Sequence, residues 1–189
     1  MRFDGYEDRR LRLIAKETGP GSVLDIGYAQ LPNRYLDPSL CTGFDIQKNI
    51  NSPYKENIQG EVEKISEILD GKKFDNIVAA EFIEHLECPY KFLKDIKNII
   101  SRDGKIIIST PNPIAFPTLF FEWTSSNRFF YTNEHKYYFP PRWVKRILEH
   151  CGYDSIQKLA VGLWPTSIVP APVALSYQVI YVAKNKHVL

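Results

Sequence analysis

Val23-Leu24-Asp25-Ile26-Gly27-Tyr28-Ala29-Gln30 is the stretch that decides the fold. Val23, Leu24 and Ile26 make a short apolar run, with Gly21-Ser22 before it and Gly27 after it. Such a run bounded by breakers predicts a buried strand that ends in a tight turn. A strand of this kind suits the first position of a parallel sheet, with a ligand crossing the turn. A second apolar run, Cys41 to Phe44, ends at Asp45, eighteen positions after Gly27. A carboxylate near that spacing can accept hydrogen bonds from a ribose diol. Taken alone, each half also reads as a buried strand with a polar exit. Together they point to a nucleoside site.

Strands and helices alternate around this pair. Upstream, Tyr6 to Thr18 has an amphipathic pattern, with Leu11, Ile14 and Ala15 on one face and Arg9, Arg10, Arg12 and Lys16 elsewhere. Gly19-Pro20-Gly21 stops it. Downstream, the pattern predicts a short turn-helix near 31–36, a strand over 41–46 and a very short strand over 58–61. It then predicts a helix over 62–69, a strand over 74–80, a helix over 89–100 and a strand over 105–110. Pro111-Asn112-Pro113 closes that strand because proline cannot extend the ladder. Pro140-Pro141 opens another helix, which Gly152 caps. The last two strands, 153–160 and 177–183, have no long helix between them, so the final one is expected to enter antiparallel. The fold class is α/β: a Rossmann-like, mostly parallel seven-stranded sheet with helices on both faces.

Residues 1–189 read as a single domain with an aromatic insert at about 113–140. Eleven of the chain's 25 aromatic residues fall between Phe116 and Trp143. That area suits either a cap buried on the end of the sheet or a lid over a flat, apolar substrate. The connection carrying Pro165, Pro170 and Pro172 could form a second wall. Of the 189 residues, 44% are hydrophobic and 24% charged, as in a globular protein with one sizeable core. The net charge of +2 gives no bulk electrostatic case for nucleic acid, so a small-molecule acceptor is favoured, with a nucleic-acid hydroxyl as the alternative. Three scattered cysteines, Cys41, Cys88 and Cys151, form no metal knuckle or disulfide framework, which points to a reducing cytoplasm. The charged start is no signal peptide, and no run has the length of a membrane span.

Several of these motifs, in this order, resemble the class I S-adenosylmethionine-dependent methyltransferases. Val23-Leu24-Asp25-Ile26-Gly27 is similar to their first motif and Gly43-Phe44-Asp45 to their ribose-binding strand. Gly60-Glu61-Val62-Glu63 resembles the segment whose acidic residue meets the adenine. Phe74-Asp75-Asn76-Ile77-Val78, then Glu84-His85-Leu86, resembles the fourth strand and its exit. Asp103-Gly104-Lys105 through Ser109-Thr110-Pro111-Asn112 resembles strand five. The resemblance implies S-adenosylmethionine as cofactor. Asp25 and Gly27 would lie near its amino-acid moiety, Asp45 and Ile46 at the ribose, Glu61 and Val62 at the adenine, and Ala80 and Glu81 at the floor. The chain departs from the family at the turn. Only Gly27 remains where two or three glycines usually stand, and Tyr28 and Gln30 carry Cβ atoms that would narrow the cofactor's approach.

Glu81, Glu84 and His85 stand at i, i+3 and i+4, with His135 downstream. The set resembles the Glu-x-x-Glu-His and later His of the metal-dependent O-methyltransferases of small-RNA 3′ ends and of ubiquinone biosynthesis. The resemblance implies a divalent metal (magnesium, manganese or zinc) held by Glu81, Glu84, His85 and His135. Without a metal, His85 or His135 would serve as general base. The residues also permit the plainer reading that Glu84-His85 caps and packs its turn. The reading that follows is a methyltransferase with an oxygen acceptor favoured over nitrogen. Its rivals are a non-catalytic scaffold, suggested by the glycine-poor turn, and a nucleotide-dependent oxidoreductase, disfavoured because G-x-G-x-x-G is absent.

Overall fold

The computed structural model describes residues 4–124, 134–163 and 171–186. The strands are β1 Val23–Ile26, β2 Cys41–Asp45, β3 Glu56–Gln59, β4 Phe74–Ala80, β5 Ile100–Pro111, β6 Tyr153–Ala160 and β7 Gln178–Asn185. The helices are α1 Asp4–Glu17, α2 Ile65–Ile68, α3 Pro89–Asp95, α4 Phe116–Thr124 and α5 Pro141–His150. The strands form one sheet in the order β3-β2-β1-β4-β5-β7-β6. β1 to β5 pair in parallel, and β7 runs antiparallel to both β5 and β6. This is the expected sheet, including its reversed last strand.

Side-chain alternation assigns the strand residues to two cores. Leu24, Ile26, Ile77, Ala79, Ile106 and Ile108 face one side, with Ile65 of α2, Phe92 of α3 and Leu148 of α5. Val23, Val78, Ile107 and Ile180 face the other, with Tyr6 and Ile14 of α1. Both faces of β4 and β5 are covered, which explains their continuous apolar runs.

Some boundaries move for physical reasons. β3 lies two residues earlier than expected, because its register sets Ile58 opposite Phe44 and Gln59 opposite Asp45. The chain leaves the sheet at Gly60, where a Cβ would stand 2.6 Å from Ile68. β5 starts at Ile100, paired with Phe74, and the register shifts before Lys105. Asp103-Gly104 is thus an irregularity inside a strand instead of its leading turn. The helix expected over 62–69 divides into a 3-10 turn, Val62–Lys64, and α2. Residues 31–36 form turns, so no α-helix separates β1 from β2. Of the aromatic insert, α4 buries none of its residues. Phe129, Phe130 and Tyr131, and Pro165 and Pro170 of the expected second wall, lie outside the described residues.

The missing helix explains Tyr28. Its ring is 2% exposed and lies in the second core with Leu36 and Tyr54. A Cβ on Gly43 would stand 2.5 Å from the Tyr28 ring, so Gly43 is the glycine that makes room for it. The ring meets Tyr54 at 5.5 Å between centroids. Tyr28 therefore fills the core beneath β2, and with Gln30 it also lines the cavity beside the Gly27 turn. Tyr28→Ala should lower stability by about 3–5 kcal/mol, the usual cost of deleting a buried ring. Chemical denaturation followed by circular dichroism measures this.

Candidate functional site

Gly27 ends β1 with φ +76° and donates its N–H to the Phe44 carbonyl at 2.9 Å. A Cβ there would stand 2.6 Å from the Phe82 ring, so both backbone angle and packing require glycine. The carboxyl ends of β1, β2 and β4 open on a cavity of about 830 Å³, which α1 also lines. The structure brings Asp25, Gly27, Asp45, Ile46, Ala80, Glu81, His85 and His135 to its wall. Glu61 and Val62, expected at the adenine, do not line it. Glu61 is exposed and pairs with Lys64 at 2.8 Å. Val62 lines a separate cavity of about 130 Å³ beside Leu86 and Phe92. The chain turns out of the sheet at Gly60, which carries both residues away from the larger cavity.

Asp45 holds the turn as well as facing the cavity. Its Oδ2 accepts the Ala29 N–H at 3.0 Å and its Oδ1 the Gln47 N–H at 2.8 Å. Each carboxylate oxygen keeps a lone pair for a further donor, such as a ribose hydroxyl. Asp25 is buried and accepts the Tyr54 hydroxyl at 2.6 Å. Burial pushes its pKa from 3.8 up to about 6, against the pull of the Tyr54 hydrogen bond.

Beyond β4, Glu84, His85 and His135 converge, each offering a ligand atom within 4.8 Å of the others. The segment carrying His135 docks through two backbone N–H groups, of Lys136 and Tyr137, on the Glu84 carbonyl at 2.9 and 3.2 Å. His85 Nδ1 meets the Glu134 carbonyl at 3.0 Å. A carbonyl only accepts, so Nδ1 carries the proton and Nε2 keeps its lone pair. The two imidazoles meet edge to face at 4.7 Å. Burial, then the neighbouring His85, lowers the pKa of His135. Glu84 is fully buried, and neither carboxylate oxygen has a hydrogen-bond partner. Burial, then the charge of Glu81, pushes its pKa well above the usual carboxylate range. An orphaned carboxylate beside two imidazoles is a donor set that fits a magnesium, manganese or zinc ion.

Glu81 does not join this trio. Its φ is +49°, and its carboxylate accepts Ser109 Oγ at 2.9 Å and Gln178 Nε2 at 2.7 Å. Arg10 Nη1 lies 3.6 Å away. Sequence reasoning missed Arg10, which it set on the outer face of α1. Arg10 is only 9% exposed, lines the cavity and has no partner for its Nε. The signal was its spacing, four residues from each of the buried Tyr6 and Ile14.

A mostly parallel sheet with a cavity at its strand ends and a carboxylate after β2 is a Rossmann-like arrangement, the kind in which ligands bind beyond the strand ends. The chain belongs to the methyltransferase domain family, whose model matches residues 1–158. Among solved structures, one similar fold is a Thermotoga maritima S-adenosylmethionine-dependent methyltransferase, described as a possible histamine N-methyltransferase. It has a TM-score of 0.76 at 14% identity, over 96% of this chain and 89% of that one. Another is the N-methyltransferase NodS of Bradyrhizobium japonicum in complex with S-adenosylhomocysteine, with a TM-score of 0.65 at 15% identity over 98% and 88%. Among curated proteins, a ubiquinone biosynthesis O-methyltransferase of Glaesserella parasuis is 40% identical over 48 residues. That match spans 25% of this chain and 20% of the relative. No helix among the described residues is long and apolar enough to cross a membrane.

The raised pKa of Asp25 sets a pH dependence. The folded chain binds this proton more tightly than the unfolded chain, so stability falls as pH rises from 3.8 to about 6. Asp25→Asn keeps an acceptor for Tyr54 without the charge. Relative to wild type, it should gain up to roughly 3 kcal/mol across that window and stay level above it. Urea unfolding at a series of pH values checks this.

Proposed function

We propose that the protein transfers a methyl group from S-adenosylmethionine to an oxygen of a small-molecule acceptor. The observation that carries the reading is Asp45, set at the end of β2 beside the Gly27 turn and facing the cavity. The S-adenosylhomocysteine held by NodS supports the donor. The short match to a ubiquinone O-methyltransferase supports an oxygen acceptor.

When bound, S-adenosylmethionine supplies an electrophilic methyl carbon on a sulfonium, ready for in-line displacement. The chain's own work is positioning and exclusion of water. In this reading Asp45 accepts from the ribose hydroxyls, and Gly27 lets the backbone pass close to the donor. The Arg10 guanidinium, buried with an unpartnered Nε, receives the donor's carboxylate. Glu81 holds Arg10 in place. On the acceptor side, His85 Nε2 and the neutral His135 are free to take the hydroxyl proton. Glu84, His85 and His135 would hold a divalent ion, which supplies Lewis acidity to an acceptor hydroxyl.

Titration calorimetry with S-adenosylhomocysteine tests the donor. Wild type should bind, and Asp45→Ala should weaken binding by about 1–3 kcal/mol through loss of a charged acceptor. Unchanged affinity in the folded variant would remove the ribose assignment. The acceptor side is tested by a chelator, which should suppress methyl transfer to a catechol probe, with added manganese restoring it. Glu84→Gln and His135→Ala should abolish that metal response and leave S-adenosylhomocysteine affinity within about twofold, because the ribose contacts lie elsewhere. Activity that resists the chelator would return the trio to packing and proton transfer.

A further inference from the structure

The glycine-poor turn raises a question that the donor reading leaves open: what fixes residues 27–36 when they are neither a helix nor a glycine loop. Groups from β2, from the 46–55 connection and from α1 bind them. Asp45, ending β2, accepts the Ala29 N–H at 3.0 Å, and Asn49 Nδ2 donates to the Ala29 carbonyl at 2.9 Å. The Tyr54 hydroxyl accepts the Asn33 N–H at 2.7 Å. Asn33 Nδ2 donates to the Leu11 carbonyl of α1 at 3.0 Å. Asp8 of α1 accepts from both Arg34 and Tyr35. Among these, Tyr54 ties the turn to β1. It also donates to Asp25 at 2.6 Å and is itself 5% exposed. One hydroxyl therefore uses both its acceptor and its donor capacity between the turn and β1.

We infer that Tyr54 is a positioning residue for the donor: its hydroxyl holds the 27–33 turn in the binding geometry that a glycine-rich loop reaches in other ways. The inference rests on the donor reading. Tyr54 touches the turn and Asp25, and it does not line the cavity itself. Its contribution is preorganisation, so its loss appears as weaker binding by a turn that must order on contact.

The test is Tyr54→Phe, which deletes one oxygen and keeps the ring against Tyr28. Calorimetry on the folded variant should show about tenfold weaker S-adenosylhomocysteine binding, the scale of one lost hydrogen bond. Loss of overall stability alone leaves the affinity of the folded protein unchanged. Hydrogen exchange without ligand should show faster exchange at the amides of residues 28–34, with those of β4 and β5 unaltered. If Tyr54→Phe does not fold, hydrogen exchange in the wild-type chain provides the test: the Asn33 amide, which donates to the Tyr54 hydroxyl, should be protected without ligand, and an unprotected amide there overturns the inference. Equal affinity in wild type and the folded variant also overturns it. So does faster exchange spread evenly over the sheet. Wild type that fails to bind S-adenosylhomocysteine overturns the donor reading instead, and the inference with it.

Discussion

No α-helix stands between β1 and β2, and the rest of the site depends on that constraint. A parallel strand buried on both faces needs cover on each, and here the chain passes from Gly27 to Pro38 in turns. The face left bare over β1 and β2 is filled by side chains from irregular segments, Tyr28, Leu36 and Tyr54, together with α1. Gly43 gives up its Cβ to admit the Tyr28 ring. Irregular backbone laid over a core must also satisfy its own N–H and C=O groups. Polar side chains therefore reach into the loop from every side, and two of them, Asp25 and Asp45, stand at the ends of strands on the cavity wall. The same residues that complete the core shape the ligand site.

The fold was legible because its signals are local and repeated. Apolar runs such as 74–80 and 105–110 are bounded by glycine and proline, and the absence of a helix between the last two strands foretold the antiparallel β7. The place of Gly27 and Asp45 on the cavity wall was legible for the same reason, since both are fixed to strand ends. What could not be read depends on the path of the chain between elements. The expected third strand ended at Glu61, yet the two-residue shift of that strand leaves Glu61 exposed beyond it, where Lys64 meets it. That the Tyr28 ring is buried could not be read, because the depth of the core beneath it is a tertiary property. Arg10 sat on an amphipathic helix whose charged residues looked alike, and only its spacing to Tyr6 and Ile14 set it apart.

Glu81 and Glu84 show how one motif can divide. Both follow β4 within a single turn, and spacing alone treats them as partners. The backbone at Glu81 adopts φ +49°, which sends its carboxylate to Ser109, Gln178 and Arg10. Glu84 follows in a 3-10 turn and points into the core beside two imidazoles. A left-handed conformation at a non-glycine residue costs of the order of 1–3 kcal/mol, and such strain collects where a site needs it. Here it separates a carboxylate bound to Ser109, Gln178 and Arg10 from one set beside two imidazoles.

Charge balance then bears on the proposed cation. Arg10 and Glu81 both act on the Glu84 carboxyl, and with both carboxylates ionised the three groups sum to one negative charge. Burial lowers the pKa of His135, so that imidazole does not supply the missing positive charge at neutral pH. Burial and the charge of Glu81 raise the pKa of the Glu84 carboxyl, against the Thr110 hydroxyl, which stands beside it and lowers it. A carboxyl under that net pressure is held either protonated or against a cation. Packing and ion binding are thus two answers to one constraint, that burial opposes a bare charge at this place.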